Sequence, residues 1–173
     1  MPGFEVIGKE EFHELKHLFD ESGILFRHSF DHLRNNIYKV KEFEEAFSLK
    51  MKVPYSLGVT SGSSALRVAL ASLDIKAGDE IITQSFTFVA TVEAIIESRG
   101  IPVVTEIDST LNMDPADLEQ KITDKTKAII VVHMLGVPAR LKEIKSIADK
   151  FHIPLIEDTA WGCGGYYDST PLG

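Results

Sequence analysis

The sequence predicts an α/β fold with a mainly parallel sheet that is covered by helices on both faces. Short apolar runs alternate with longer segments of helical periodicity from residue 55 onward, and this alternation is typical of strands joined by helical crossovers. One run, Lys127–His133, is strongly apolar, as strands are when both faces of a sheet are buried. Ligands of such sheets bind beyond the carboxyl ends of the strands, so the residues that follow each strand are the candidates for function.

Residues 1–54 differ from the rest because they show helical periodicity and no strand pattern. A first helix is indicated by apolar residues at helical spacing, namely Phe12, Leu15, Leu18 and Phe19. A second helix is predicted from about Tyr38 to Met51. We expect residues 1–54 to be a helical segment that packs on a main domain formed by residues 55–173.

Strands and helices alternate in the predicted main domain. The predicted strands are Tyr55–Val59, Glu80–Gln84, Pro102–Ile107, Lys127–His133 and Pro154–Asp158. The predicted helices are Gly62–Leu73, which is apolar almost all round and should be buried, Phe88–Arg99, a short helix after Asp114, and Leu141–Phe151. Gly100 closes one helix, and Asp114 with Pro115 starts the next as N-cap and first helical residue. The glycine-rich end, Gly162–Gly173, is predicted to be a loop.

The bulk composition excludes several classes of function. The net charge is -8, which argues against binding to nucleic acid or to an anionic membrane surface. A single cysteine, Cys163, cannot form an internal disulfide and indicates a reducing compartment. Charged residues interrupt the first twenty positions, and the longest apolar runs are far too short to span a bilayer. We therefore expect a cytoplasmic protein.

A phosphate site is predicted at the turn Thr60–Ala65, between the first predicted strand and the helix that follows it. The N-terminus of a helix exposes unpaired N–H groups and the positive end of the helix dipole. Glycine and small hydroxyl residues allow a phosphate to approach closely. The alternative is that Ser61 is only an N-cap, although capping needs one such residue and several stand here in a row.

Two further residues stand at predicted strand ends. Asp158 ends an apolar strand and should face the ligand crevice, although it could equally be an N-cap or a metal ligand. Phe88 follows another strand and could stack on a planar ligand, although a phenylalanine is more often in the core.

Other candidates are weaker. Two histidine pairs at helical spacing, His13 with His17 and His28 with His32, lack an obvious third ligand, so no metal site is expected. Cys163 has no base partner that could be nominated and is interpreted as a bystander thiol. The glycines around Cys163 follow Asp158 instead of opening a helix after an early strand, so they are not a dinucleotide fingerprint.

Five motifs occur in an order that resembles one known family. They are Ser61–Leu70, Gly78–Ile82, Ser85–Thr91, Val132–Pro138 and Pro154–Ala160. The chain from about Lys39 to Gly173 resembles the DegT/StrS family of nucleotide-sugar aminotransferases, which depend on pyridoxal 5′-phosphate (PLP). The resemblance implies the three-layer large domain of the fold type I PLP transferases. It also implies a homodimer. The implied reaction transfers an amino group from an amino acid, with glutamate as the expected donor, to a nucleotide-linked keto sugar.

The resemblance assigns roles to matching residues. Ser63 and Ser64 would bind the cofactor phosphate, and Phe88 would stack on the pyridine ring. Asp158 would be catalytic, because a carboxylate beside the pyridine nitrogen keeps that nitrogen charged. Trp161 stands where the family has Gln or His near the phenolic oxygen of the cofactor. It is a candidate cofactor contact, but the family's hydrogen-bond role is not carried over to it, although its indole N–H could donate.

The sequence also departs from the family. Arg140 replaces an aspartate that is common in the family, so the loop on the substrate side could differ. The family's Schiff-base lysine follows the aspartate, but none of the fifteen residues after Asp158 is a lysine. We therefore expect an incomplete large domain, a fragment that lacks the C-terminal domain and is inactive alone. The alternatives are a PLP-family sugar dehydratase and a truncated, non-catalytic PLP-fold binding protein.

Overall fold

The computed structural model describes residues 4–173, which divide into two compact units. The first unit ends at Gly58 and the second runs Val59–Gly173. The first unit contains the helices α1 (Lys9–Glu21) and α2 (Lys39–Met51) and short 3₁₀ turns at Phe4–Val6 and Asp31–Leu33. Both α-helices lie where the periodicity predicts them.

A buried arginine organises the segment between α1 and α2. Arg34 is 3% exposed, and its guanidinium donates to the carbonyls of Phe26, Ser29 and Ile37 at 2.8, 3.3 and 3.0 Å. The same guanidinium lies 4.2 Å from the centre of the Tyr38 ring, which is within the range of a cation–π contact. The irregular chain is therefore held by one charge that carbonyl dipoles and an aromatic face stabilise.

The second unit is a parallel α/β structure, as the sequence predicts. Its sheet contains β1 (Glu80–Gln84), β2 (Ile101–Thr105), β3 (Thr126–Val132) and β4 (Leu155–Asp158) in the order β2-β1-β3-β4. All of its pairings are parallel. Its helices are α3 (Gly62–Ser72), α4 (Val89–Glu97), α5 (Pro115–Lys121) and α6 (Leu141–Phe151).

Helices cover both faces of the sheet, and alternate strand residues form two separate cores. Ile81, Ala128 and Ile130 pack with residues of α3 and α4 on one face. Ile82 and Ile129 pack with residues of α5 and α6 on the other. Because side chains alternate along a strand, the face of any strand residue follows from these two cores.

The predicted strand Tyr55–Val59 is absent from the structure, in which these residues form no ladder. Tyr55 is 87% exposed, and no described strand runs beside the segment. Instead, Gly58 donates its N–H to Glu44 Oε1 at 2.6 Å and accepts from Arg27 Nη1 at 2.8 Å. A strand requires a partner for its backbone groups, and here side chains take up groups that a ladder would use.

Two smaller predictions are also corrected. Helix α3 is not buried all round, because Leu66 and Leu70 are buried while Val68 on its outer side is 44% exposed. The end of the chain is not only a loop, since Tyr166–Tyr167 (β5) and Thr170–Pro171 (β6) form a short antiparallel hairpin. No helix among residues 4–173 has the length and apolar character needed to cross a membrane.

Gly100 provides a test of the packing between α4 and β1. A Cβ at Gly100 would lie 2.2 Å from Ile81 Cδ1, and Ile81 is fully buried. We expect Gly100→Ala to lower the free energy of unfolding by about 1–3 kcal/mol, because the core must shift to accept the methyl group. Urea denaturation measures the change. Gly62→Ala is the control, since its Cβ would meet nothing within 4 Å, and an equal loss in both variants would contradict the prediction.

Candidate functional site

The topology brings the N-termini of α3 and α4 to the carboxyl edge of the sheet. Helix α3 ends at Ser72, and the chain then enters the amino end of β1 at Glu80, so the start of α3 lies towards the opposite edge. Helix α4 begins at Val89, shortly after β1 ends at Gln84. Both helices pack on the same face of the sheet. Their free N–H groups therefore converge where an open α/β sheet binds ligands.

The start of α3 is a cluster of hydroxyl groups with two backbone donors left over. Ser61 is the N-cap, and its Oγ accepts from the Ser64 N–H at 3.1 Å. Ser64 Oγ lies 3.1 Å from Thr60 Oγ1 and 3.0 Å from Ser61 Oγ. Within residues 4–173, the N–H groups of Gly62 and Ser63 have no hydrogen-bond partner. The turn thus combines a conventional N-cap with donors that an anion could use.

Phe88 stands at the N-cap position of α4, with its ring largely in solvent. The residue is 63% exposed, whereas its carbonyl accepts from the Thr91 N–H at 3.1 Å. The neighbouring Thr87 Oγ1 lies 2.9 Å from Thr91 Oγ1. The backbone beneath the ring is therefore fixed to the first turn of α4, while the ring face stays available.

Asp158 ends β4 on the face that carries α3 and α4. Ile156 packs against the core of that face, and alternation places Asp158 on the same side. Its partner across the ladder is Val132, at the end of β3. Asp158 is half-buried, and its Oδ1 accepts from the Ala160 N–H at 3.0 Å. No described residue donates to Oδ2, so one carboxylate oxygen remains available to a ligand.

The other residues considered from the sequence are Trp161, Cys163 and possible metal ligands. Trp161 is 56% exposed and lies in the turn after β4, in which Gly162 and Cys163 donate their N–H groups to the Thr159 carbonyl at 2.9 and 2.8 Å. Cys163 is an exposed free thiol. No group of three or more His, Cys, Asp or Glu side chains that could hold a metal occurs in the described part of the chain.

A second set of polar residues, which the sequence did not single out, lies on the α5/α6 face of the same edge. Gln84, Asn112 and His133 are each 0% exposed. Asn112 Oδ1 accepts from the Met134 N–H at 2.9 Å, and its Nδ2 donates to the Val137 carbonyl at 3.1 Å. Asn112 thus holds the loop that follows β3. Asn112 stands in the largely polar stretch Asp108–Asp114, and nothing in the sequence distinguishes it from its polar neighbours.

The fully buried His133 of this set pairs with Glu157, which is only partly buried. The Ala139 N–H donates to His133 Nδ1 at 3.0 Å, so that nitrogen carries no proton and Nε2 is the donor. Nε2 lies 3.1 Å from Glu157 Oε2, which also accepts from the Gly173 N–H at 3.1 Å. The hydrogen bond from His133 holds the pKa of Glu157 below its ordinary value, although partial burial acts in the opposite direction.

Arg140, which differs from the aspartate common in the family, precedes α6. Its Nε donates to Glu143 Oε1 at 2.8 Å, and its Nη1 lies 3.8 Å from Asp108 Oδ2. The arginine is paired with carboxylates of its own chain, and these hold its pKa above the ordinary value.

The sequence of this chain is similar to those of known aminotransferases. Residues 30–173 match the DegT/DnrJ/EryC1/StrS aminotransferase family. The chain is 38% identical over 136 residues to dTDP-3-amino-3,6-dideoxy-alpha-D-galactopyranose transaminase of Aneurinibacillus thermoaerophilus, a match that covers 78% of this chain and 38% of the relative.

Solved structures of similar fold cover almost the whole chain. One is 3-amino-5-hydroxybenzoic acid synthase, with a TM-score of 0.89 and 27% identity over 99% of this chain and 43% of that chain. Another is GDP-4-keto-6-deoxy-D-mannose-3-dehydratase of E. coli with bound hydrated PLP, with a TM-score of 0.83 and 27% identity over 97% of this chain and 42% of that chain. The chain spans between 29% and 38% of the length of the curated relatives that it matches.

Glu157 provides a test of its pairing with His133. A carboxyl group whose pKa is lowered by folding stabilises the protein above its unfolded pKa of about 4.3, and this stability is lost as the pH falls through the folded pKa. We expect Glu157→Gln to cost about 0.5–1.5 kcal/mol at pH 7, because the amide keeps the geometry but not the charge. The deficit should shrink below pH 4.

Urea denaturation at pH 7 and at pH 3 measures both effects. Glu93→Gln is the matched control, because Glu93 is exposed on α4 and has no hydrogen-bond partner among the described residues. A deficit for Glu157→Gln that stays constant across this pH range would contradict the assignment.

Proposed function

This chain belongs to the DegT/DnrJ/EryC1/StrS aminotransferase family, and on that premise we propose that it forms the cofactor-holding edge of a PLP-dependent sugar aminotransferase. In this proposal the complete enzyme moves an amino group from glutamate to a keto sugar carried on a nucleotide. The observation that supports the proposal is the placement of three residues: Ser63 lies in the first turn of α3, Phe88 is the N-cap of α4, and Asp158 ends β4.

The start of α3 suits the phosphate of PLP. The N–H groups of Gly62 and Ser63 have no partner among residues 4–173, and a dianion at a helix N-terminus is stabilised by both the donors and the dipole. Ser63 can add its hydroxyl group. Ser64 contributes its hydroxyl, since its N–H is already bonded to Ser61 Oγ.

Asp158 suits the pyridine nitrogen. Its Oδ1 accepts a hydrogen bond from the Ala160 N–H, which orients the carboxylate. Its Oδ2 remains able to accept a hydrogen bond from the protonated ring nitrogen. When bound, PLP supplies an electron sink for the carbon that loses or gains the amino group. The task of Asp158 is to keep the proton on the ring nitrogen, which requires a charged acceptor at this position.

Aromatic residues complete the proposed site. The exposed face of Phe88 can stack on the ring of the cofactor, which orients the ring and excludes water from one side of it. Trp161 follows Asp158 by three residues and is also exposed. We propose that it lines the edge of the ring, with the indole N–H as its one polar group.

Binding of pyridoxamine phosphate tests the phosphate assignment, because this ligand needs no covalent attachment. We expect Ser63→Ala to weaken binding about 10-fold, since a hydrogen bond to a charged group contributes about 1.5–3 kcal/mol. Fluorescence titration or calorimetry gives the dissociation constant. Ser72→Ala, the same change at the other end of α3, should leave it unchanged. Equal affinities for the wild type and Ser63→Ala would argue against the assignment.

The reaction itself is tested on the complete product of the gene. We expect glutamate and a dTDP- or GDP-linked keto sugar to yield an amino sugar and 2-oxoglutarate. Asp158→Asn should lower kcat by on the order of 10³ or more, because the amide cannot hold the ring proton. Asp149→Asn is the control, since Asp149 is an exposed carboxylate on α6 that pairs with Lys145. Product analysis by mass spectrometry and a coupled assay for 2-oxoglutarate measure the outcome.

A sugar dehydratase is the second candidate, because a dehydratase with bound PLP has the same fold over 97% of this chain. A dehydratase would remove a hydroxyl group from the sugar and leave no nitrogen in it. The product therefore separates the two reactions, and a deoxy sugar without an amino group would overturn the aminotransferase proposal.

A further inference from the structure

We propose that Gln84 is a positioning residue that fixes Phe88, by tying the segment that carries Phe88 to the end of strand β3. The inference rests on the proposed function for the role of Phe88. It concerns a residue on the opposite face of the sheet, which would not touch the cofactor.

Gln84 uses its whole amide group on backbone partners from three segments. It is 0% exposed. Its Oε1 accepts from the Val132 N–H at 3.1 Å. Its Nε2 donates to the Phe86 carbonyl at 3.0 Å and lies 3.4 Å from the Leu111 carbonyl. One side chain therefore joins the end of β3, the segment after β1 and the loop after β2.

The segment Ser85–Phe88 needs such a tie because little else holds its middle. Ser85 is fixed at one end, where its N–H donates to the Thr105 carbonyl at 2.9 Å. Thr87 and Phe88 are fixed at the other end by Thr91. Between these points, the bond from Gln84 is the one hydrogen bond to Phe86 among the described residues. The ring of Phe88 is 63% exposed, so its backbone, more than its packing, sets its position.

The Oε1 atom of Gln84 contacts the end of β3, which lies beside Asp158, the acid that we assign to the ring nitrogen. Val132 is the ladder partner of Asp158, and the next residue, His133, donates its N–H to the Asp158 carbonyl at 3.1 Å. A series of contacts therefore runs from the Phe86 carbonyl through the Gln84 side-chain amide to the Val132 N–H, and then along the chain to His133, which bonds the Asp158 carbonyl. Through this series, Gln84 sets the ring-stacking residue and the ring-nitrogen residue relative to each other.

A purely structural role for Gln84 is the alternative, and a matched residue separates the two. Thr83, its neighbour in β1, is also 0% exposed, and its Oγ1 donates to the Ile130 carbonyl at 3.1 Å. That bond lies within the sheet and does not reach the Phe88 segment. Thr83→Val should therefore destabilise the protein without moving Phe88, whereas changes at Gln84 should do both.

Two variants of Gln84 are informative. Gln84→Glu keeps the size and the acceptor for Val132 but removes the donor to Phe86. Gln84→Met removes both functions without introducing a charge, and it serves if the glutamate variant fails to fold. We expect either change to weaken the binding of pyridoxamine phosphate about 10-fold, by analogy with the loss of a buried hydrogen bond. In a Phe88→Ala background the same change should weaken it less than about 2-fold, because coupled residues are not additive.

A second measurement needs no ligand. Backbone ¹⁵N order parameters for Phe86, Thr87 and Phe88 in the ligand-free protein should fall from about 0.85, a rigid value, to below about 0.6 in the Gln84 variants. They should not change in Thr83→Val.

The outcomes are distinct. Unchanged order parameters in the Gln84 variants, or an equal loss of affinity with and without Phe88, would overturn the positioning role. A wild type that does not bind pyridoxamine phosphate would overturn the proposed function instead, and the order parameters would still decide whether Gln84 fixes the Phe88 segment.

Discussion

The structure depends on how the backbone groups at the carboxyl edge of a parallel sheet are satisfied. A strand that ends inside a protein leaves N–H and carbonyl groups that need partners, and an unpaired buried group costs about 1–3 kcal/mol. Here the side chains of Gln84 and Asn112 accept from the N–H groups of Val132 and Met134, at and just after the end of β3, and His133 accepts from Ala139 further along the same loop. On the α3/α4 face, by contrast, the N–H groups of Gly62 and Ser63 have no such partner among residues 4–173.

The proposed phosphate site does not require a positive net charge, although the chain carries a net charge of -8. The donors at the start of α3 are neutral N–H and hydroxyl groups, which act over a few ångströms and are little affected by distant surface charge. The acidic group, Asp158, lies at the end of β4 and not at the start of α3, where these donors are. In our proposal, two opposite requirements, donors for a phosphate and an acid for a protonated nitrogen, are met at different points of one edge.

The sequence predicted the parts of the fold that local pattern determines. Helices α3 to α6 and strands β1 to β4 lie close to their predicted positions, because periodicity and caps such as Asp114 act within a few residues. Tyr55–Val59 failed because a strand also depends on a distant partner. The bonds of Gln84 to Val132 and of Asn112 to Met134 join residues 48 and 22 positions apart. No spacing within one segment encodes such bonds, so the support of the candidate site could not be predicted.

The structural matches include proteins that carry out different reactions. In our proposal, the residues that hold the cofactor are therefore distinct from those that select the reaction. A synthase and a dehydratase both superpose on almost the whole chain, with TM-scores of 0.89 and 0.83. Proteins whose names give different reactions therefore share this fold, so the fold by itself does not determine the product. In our proposal, Ser63, Phe88 and Asp158 place a ring and its phosphate for either reaction. It follows that in our proposal a change at these residues impairs any reaction at the site, whereas a change of reaction type has to arise from groups that face the substrate.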